Sequence, residues 1–379
     1  VGSGDTINAI ADRMQQQHII RNSLMFKLYL KIKGKTLSVQ PGSYCLSPSM
    51  HLQEIVTTLS TPPSAAYVQF YVPEGDRLLQ YPGDILASAV LHDPGQSDDG
   101  LKGQKALPNF NASDFLNITI KTGTFPGSEN YWYVQPWKSQ ALTRLEGYLS
   151  PNTYQVDPTS DATAIITTML TGLGEQLCPG PAGAIDTYLF DKQQCMAHGA
   201  TITIPSGIPG AGKAEDVFTA LKKYGSDPVA ALQKALILGS LAQRESRTMN
   251  NFYEVASVYY NRYTQPNSSA GTNGLLQADP AEQYWLGAQA GQPNPWPTFV
   301  AVWGPGKLPG DEKNNPYNLF LTPGLPPSAI AGMSLDALYG GIAPPTTDWF
   351  FFFHGCDGSN HYEKDSATIQ SDEAKYGIC

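Results

Sequence analysis

The sequence is short of charge. Only 15% of its 379 residues are Asp, Glu, Lys or Arg, against roughly 25% in an ordinary soluble domain. The balance is acidic, with 33 acids against 24 Lys and Arg for a net charge of −9. An overall basic surface that would track a phosphate backbone is excluded, so nucleic acid is not an expected partner. No apolar run approaches the roughly 18–20 residues that cross a bilayer. The longest aromatic run, Trp349 to Phe353, has the length of a buried strand. The five cysteines (Cys45, Cys178, Cys195, Cys356 and Cys379) contain no C-x-x-C pair, which removes zinc ribbons and thioredoxin-like redox motifs. Gly-x-Ser-x-Gly, the phosphate-binding Gly-x-x-x-x-Gly-Lys-Ser/Thr and His-Glu-x-x-His are all absent, and with them the chemistries they carry. His354, Cys356 and His361 cluster but supply only three ligands, so no metal is expected.

Turn residues are plentiful: 36 Gly and 30 Pro are about one residue in six. Even so, 41% hydrophobic and 11% aromatic content suffices for a folded core and excludes disordered or fibrous classes. At roughly 150 residues per domain the length suggests two or three domains. Cys178 and Cys195 flank a Pro/Gly-rich stretch, and Cys356 lies near Cys379 in sequence. Two local disulfides and one leftover thiol would suit an oxidising compartment; five free thiols are the other reading.

Periodicity predicts a helix from Asp5 or Thr6 to about Gln17 and another from about Asn22 to Ile32, stopped by Gly34. A third, capped by Ser49, ends near Leu59, and Pro62-Pro63 reads as a linker. Alternation predicts a strand over Tyr67 to Val72. A short helix is expected near Ala112 to Leu116 within a turn-rich stretch. Ser160 or Asp161 opens a helix carrying Ile165, Ile166, Met169, Leu170 and Leu173 on one face. Further helices are expected from about Ala214 to Tyr224, from Asp227-Pro228 onward by the cap-then-proline rule, and from about Phe252 to Tyr263. Trp349 to Phe353 reads as a strand.

One acid stands on an apolar face. Counting back from Glu245 by three, four and seven gives Ala242, Leu241 and Leu238, the neighbours that share its side of a helix. Desolvation there raises a carboxyl pKa, and an acid protonated near neutral pH is what glycosidic bond cleavage asks of a general acid. The plainer alternative is that Glu245 marks where the helix leaves the core, or pairs with an arginine. Ordinary glycosidases use a second carboxylate; the candidates are Glu146, Glu254 and Asp279, and spacing does not choose among them.

Leu145-Glu146-Gly147-Tyr148-Leu149-Ser150-Pro151-Asn152-Thr153-Tyr154 surrounds one of these acids, and it resembles the E-G-Y-L-F-P-D-T-Y block of the YceG-like (MltG-type) family of endolytic murein transglycosylases. Leu241-Ala242-Gln243-Arg244-Glu245-Ser246 resembles its catalytic-helix block, with Glu245 at the catalytic glutamate. Ala256-Ser257-Val258-Tyr259-Tyr260-Asn261-Arg262 resembles the block ending F-x-N-R-L, and Leu276-Gln277-Ala278-Asp279-Pro280 resembles L-Q-S-D-P. Pro316-Tyr317-Asn318-Leu319-Phe320 with Gly324-Leu325-Pro326-Pro327 is similar to Y-N-T-Y followed by G-L-P-P-G. Pro41-Gly42-Ser43-Tyr44, Ser49 to Ile55 and Val72-Pro73-Glu74-Gly75 extend the likeness towards the N-terminus. Asn152 stands where the family usually has aspartate, and Gln243 where it often has glutamate.

The resemblance implies an α+β fold: a small N-terminal α+β segment over 1–63, a LysM-like segment with a loop insertion over 64–140, and a mixed α+β catalytic domain over 141–379. It implies cleavage of the MurNAc–GlcNAc bond in peptidoglycan with formation of a 1,6-anhydro ring, Glu245 acting as acid and then base. Gln277, Asp279, Tyr317, Asn318 and Asn261 are implied to contact sugar, and Glu146 and Tyr148 to bind or support the site. No cofactor is implied. The implied partners are glycan strands and enzymes of cell-wall synthesis, at the outer face of the cell membrane, with an N-terminal membrane anchor ahead of Val1. Two other readings stay open: a glycan-strand hydrolase using Glu146 or Asp279 as base, and a non-catalytic wall-binding scaffold.

Overall fold

The computed structural model describes residues 5–17, 19–32, 37, 39, 44, 46, 50–60, 66–92, 101–134, 143–179, 190–246, 248–288, 294–298 and 314–378. Gly34, Ser49, Pro62-Pro63, Cys45 and Cys379, on which expectations above rest, lie outside them. The fold is mixed α+β, and the chain divides into two compact units. One comprises residues 1–72, 81–133 and 152–199; the other comprises 73–80, 134–151 and 200–379. Residues 152–199 thus leave the segment expected to begin at 141. The reason is strand pairing: β3 (Thr153–Val156) lies against β1 (Tyr67–Tyr71) within the first unit.

In the first unit the helices Ile7–Gln16, Ser23–Ile32 and Leu52–Ser60 enclose a small core of Ile10, Met14, Phe26, Leu30, Ile55 and Leu59. Thr6 caps the first, its hydroxyl accepting from Ala9 N at 3.2 Å. The third opens with Glu54 reaching back to His51 N at 2.7 Å, half of a capping box. A three-stranded antiparallel sheet follows in the order β2–β1–β3, with β2 at Val90–His92. Val68 and Phe70 point inward from β1, as its alternation requires. Asp161 caps the Ala162–Leu177 helix through Ala164 N at 2.8 Å. That helix buries Ile165, Ile166, Met169, Leu170 and Leu173, the predicted face. The Cys178–Cys195 disulfide is present.

The second unit is built on the Pro228–Glu245 helix, capped by Asp227. Every residue from Leu236 to Ala242 is buried, as are Ala231, Leu232 and Ala235, so the helix is wrapped on nearly all sides. The helices Met249–Thr264 and Leu335–Ile342 pack against it. The second crosses very closely: a Cβ on Gly239 would lie 2.7 Å from Ala337 O and 2.8 Å from the Met333 sulfur, so only glycine admits the approach. The hairpins β4–β5 (Thr201–Thr203, Ala214–Asp216) and β6–β7 (Phe351–His354, Asn360–Glu363) complete the unit with the helices Asp279–Gly287 and Ser366–Tyr376. The helix expected over 214–224 is shorter than predicted. Residues 214–216 pair with β4, and Asp216 then caps a single turn-and-a-half, Val217–Leu221. The His354–Cys356–His361 cluster is engaged otherwise: Cys356 is in a disulfide, His354 Nδ1 meets Asn360 Oδ1, and His361 stacks on Phe353 and Tyr376 beside Asp357. Among the described residues no helix is long and apolar enough to cross a membrane.

Candidate active site

Glu245 is the last residue of the buried Pro228–Glu245 helix. It retains partial solvent exposure, and its Oε1 accepts a hydrogen bond from the Tyr259 hydroxyl at 2.7 Å. Withdrawal from solvent raises its pKa to about 7; the Tyr259 hydrogen bond opposes the rise, repulsion from Asp279 adds to it, and Arg244 and Arg262 oppose it. The helix end contributes in the same sense as burial, because its carbonyls present partial negative charge. The result is a carboxyl balanced between its two protonation states near neutral pH, able both to give and to take a proton.

The neighbours are held by backbone contacts. Arg262, itself buried, donates from Nη1 to Leu276 O at 2.7 Å and to Gln277 Oε1 at 3.1 Å, and from Nε to Phe350 O. It therefore fixes the 276–277 loop and the start of the β6 region together. Gln277 is exposed and has φ 54°, a left-handed conformation uncommon for a side chain of its size. Its N–H donates to Leu319 O at 3.0 Å. Asp279, two residues on, begins the Asp279–Gly287 helix, is exposed, and has its pKa raised by partial burial of the carboxyl. On the other side, Arg244 donates to Gly75 O at 3.1 Å, and its guanidinium lies 3.9 Å from the Trp296 ring centroid.

Of the residues expected to touch sugar, Gln277 and Asp279 are exposed, and Asp279 shares the electrostatic environment of Glu245. Tyr317, Asn318, Asn261, Glu146 and Tyr148 are buried, each at most 4% exposed. Asn318 organises a turn, its Oδ1 accepting from Phe320 N at 3.1 Å, while the Tyr317 hydroxyl meets Ser328 Oγ at 2.6 Å. That turn supplies the Leu319 carbonyl that holds Gln277. Asn261 ties its helix to Thr347 and Trp349, donating to the Trp349 carbonyl at 2.9 Å. Glu146 is fully buried: its Oε1 accepts from Leu78 N at 3.0 Å, and its Oε2 accepts from the Tyr284 hydroxyl at 3.0 Å and the Thr143 hydroxyl at 3.4 Å. Burial lifts its pKa to about 7, against the attraction of Arg77. At 0% exposure, Glu146 presents no face to solvent. Gln243 Oε1 accepts from Ser334 N at 2.8 Å, a task a glutamate would perform equally. Sequence reasoning missed Tyr259 and Arg262 as site residues. Their three-residue spacing puts a phenol and a cation on one face of the Met249–Thr264 helix, but nothing in that spacing links them to Glu245.

Fold and site together define an α+β protein with one glutamate of raised pKa at a helix end, attended by a tyrosine, two arginines and an exposed aspartate. The model of the YceG-like family matches residues 1–375, and the chain belongs to that family. It is 23% identical over 377 residues to an endolytic murein transglycosylase of Bacillus subtilis, covering 99% of this chain and 83% of that protein. It is 22% identical over 357 residues to an endolytic murein transglycosylase of Streptococcus pneumoniae, covering 93% of this chain. The chain spans about half the length of the pneumococcal relative, 53%. A solved structure of a yceG-like protein from Listeria monocytogenes is 20% identical and aligns with a TM-score of 0.48 over 98% of this chain and 97% of that one.

Proposed function

We propose that the chain is a lytic transglycosylase that cuts within peptidoglycan strands in the bacterial cell envelope, with Glu245 as its single acid and base. The observation that carries this reading is the Glu245 carboxyl, held near pH 7 by burial and hydrogen-bonded to Tyr259. Protonated Glu245 gives its proton to the glycosidic oxygen as the bond from MurNAc C1 to that oxygen breaks. The resulting carboxylate takes the proton of the MurNAc C6 hydroxyl as O6 closes on C1, forming the 1,6-anhydro ring and restoring the acid. No water is consumed. The internal hydroxyl is already tethered near C1, and effective molarities of about 10⁵ M and above for such geometries offset the lack of a second activating carboxylate. Gln277 and Asp279, exposed beside the acid, are the sugar contacts; Tyr317, Asn318, Asn261, Glu146 and Tyr148 hold them in place.

One observation favours a second reading. Asp279 is the carboxylate that acts on Glu245, and a carboxylate opposite the acid could activate water and make the enzyme a hydrolase. Digestion of purified glycan strands followed by mass spectrometry of the new ends separates the two. Anhydro ends from the wild-type chain and none from Glu245→Gln are expected. Reducing ends would transfer the assignment to hydrolysis, and strands left intact, where another lytic enzyme cuts them, would remove both.

A further inference from the structure

The Ser23–Ile32 helix is apolar on two opposite sides. Phe26 and Leu30 are buried in the N-terminal core, while Leu24, Met25, Leu28 and Ile32 are 70%, 58%, 45% and 73% exposed. At 3.6 residues per turn the exposed four occupy an arc of about 100°, facing away from the buried pair. Four large apolar side chains on one open face mark an interaction surface.

The charge of this region runs against the rest of the chain. From Arg13 to Gln53 the sequence holds six cations (Arg13, Arg21, Lys27, Lys31, Lys33 and Lys35) and no Asp or Glu. With Asp5, Asp12 and Glu54 included, residues 1–60 carry +3, leaving −12 for the remaining residues of a chain of net −9. Arg13 and Lys27 are committed to Asp5 and Asp12, at 2.9 and 2.6 Å. Arg21 and Lys31 are exposed, close in sequence to the apolar side chains.

We propose that this helix lies in the plane of an anionic lipid surface, with Leu24, Met25, Leu28 and Ile32 in the acyl boundary and Arg21 and Lys31 at the headgroups. An apolar stripe bordered by cations is the pattern of interfacial helices, and juxtamembrane cations strengthen attachment to anionic leaflets. Ten residues are too few to span a bilayer, so the helix rests on the surface.

The test is co-sedimentation of the 379-residue chain with vesicles of phosphatidylcholine, alone or mixed with phosphatidylglycerol. Binding to the anionic vesicles, weakened by salt, is expected. Replacing Leu24, Leu28 and Ile32 together by Gln reduces partitioning by roughly tenfold or more. Arg21→Gln and Lys31→Gln each reduce it by roughly fivefold. All these side chains are exposed, and an unchanged thermal melt verifies that the variants fold. No binding to anionic vesicles, equal binding to neutral ones, or full binding by the triple variant overturns the proposal. The vesicles contain no glycan, so the outcome is independent of the transglycosylase reading.

Discussion

Replacing Tyr259 by Phe removes one donor from the candidate acid and little else. Tyr259 is 1% exposed, and its ring packs edge-on against Phe352 with centroids 5.8 Å apart, contacts that phenylalanine keeps. The lost hydrogen bond, 2.7 Å to Glu245 Oε1, favours the ionised carboxylate, so its removal moves the Glu245 pKa upward from about 7. A hydrogen bond to a charged group contributes about 1.5–3 kcal/mol, and each pH unit corresponds to about 1.4 kcal/mol, so the rise is about one to two pH units. Because the first chemical step needs the protonated acid, kcat/KM falls as pH rises past this pKa. The alkaline limb therefore moves from near pH 7 to about 8 or 9 in the variant. The rate of appearance of new glycan ends between pH 5 and 10 measures it. Carbon-13 NMR titration of the Glu245 carboxyl reads the same quantity without turnover. A limb or titration that stays in place, or moves to lower pH, refutes the assignment of the Tyr259 hydrogen bond as a brake on the raised pKa.

Three other perturbations have definite signs. Asp279→Asn removes a repelling charge from Glu245, so the alkaline limb moves to lower pH while anhydro ends persist; an upward move contradicts the electrostatic assignment. Glu146 has a pKa of about 7 in the folded chain against 4.5 as its reference. Its contribution is therefore full below pH 4.5 and is lost as pH rises through 7, about 3 kcal/mol in all. Urea unfolding should show the stability of wild type relative to Glu146→Gln declining by about that amount between pH 4.5 and 8, and a constant difference would count against it. Gly239→Ala places a methyl 2.7 Å from Ala337 O; overpacking of this kind costs about 1–3 kcal/mol, visible as a lowered Tm, whereas an unchanged Tm would show that the helix crossing relaxes freely.

Local signals made much of the fold legible. Thr6, Asp161 and Asp227 cap the helices they were expected to cap, because a side-chain acceptor before an apolar stripe satisfies orphan N–H groups wherever the helix later packs. The Tyr81–Ser88 helix was not legible, since Pro82 and Gly83 read as turn residues and only packing of Tyr81 and Ile85 holds them helical. The segment 214–224 shows the reverse, with pairing to β4 claiming its first residues. At the site, the apolar neighbours of Glu245 were readable from one helix. Tyr259 and Arg262 reach it from the next helix, and no spacing rule spans that join. Glu146 shows a further limit: its motif indicated involvement, but depth of burial is a tertiary property, and the motif gave no sign that this carboxyl is fully enclosed.

The division of the chain into two discontinuous units bears on how this protein can be cut, by an engineer or by a recombination event. Residues 200–379 look like a natural fragment to express alone, since they carry Glu245, Tyr259, Arg262 and Asp279. Such a fragment would lack Pro73–Gln80 and Val134–Pro151. It would lose Arg77, which donates to Tyr284 O at 2.9 Å and Pro295 O at 3.1 Å, and Glu146, which receives the Tyr284 hydroxyl. The smallest excisable piece that keeps this scaffold is not a stretch of sequence, so shuffling of the acid-bearing helices into other proteins would have to bring two distant insertions with it.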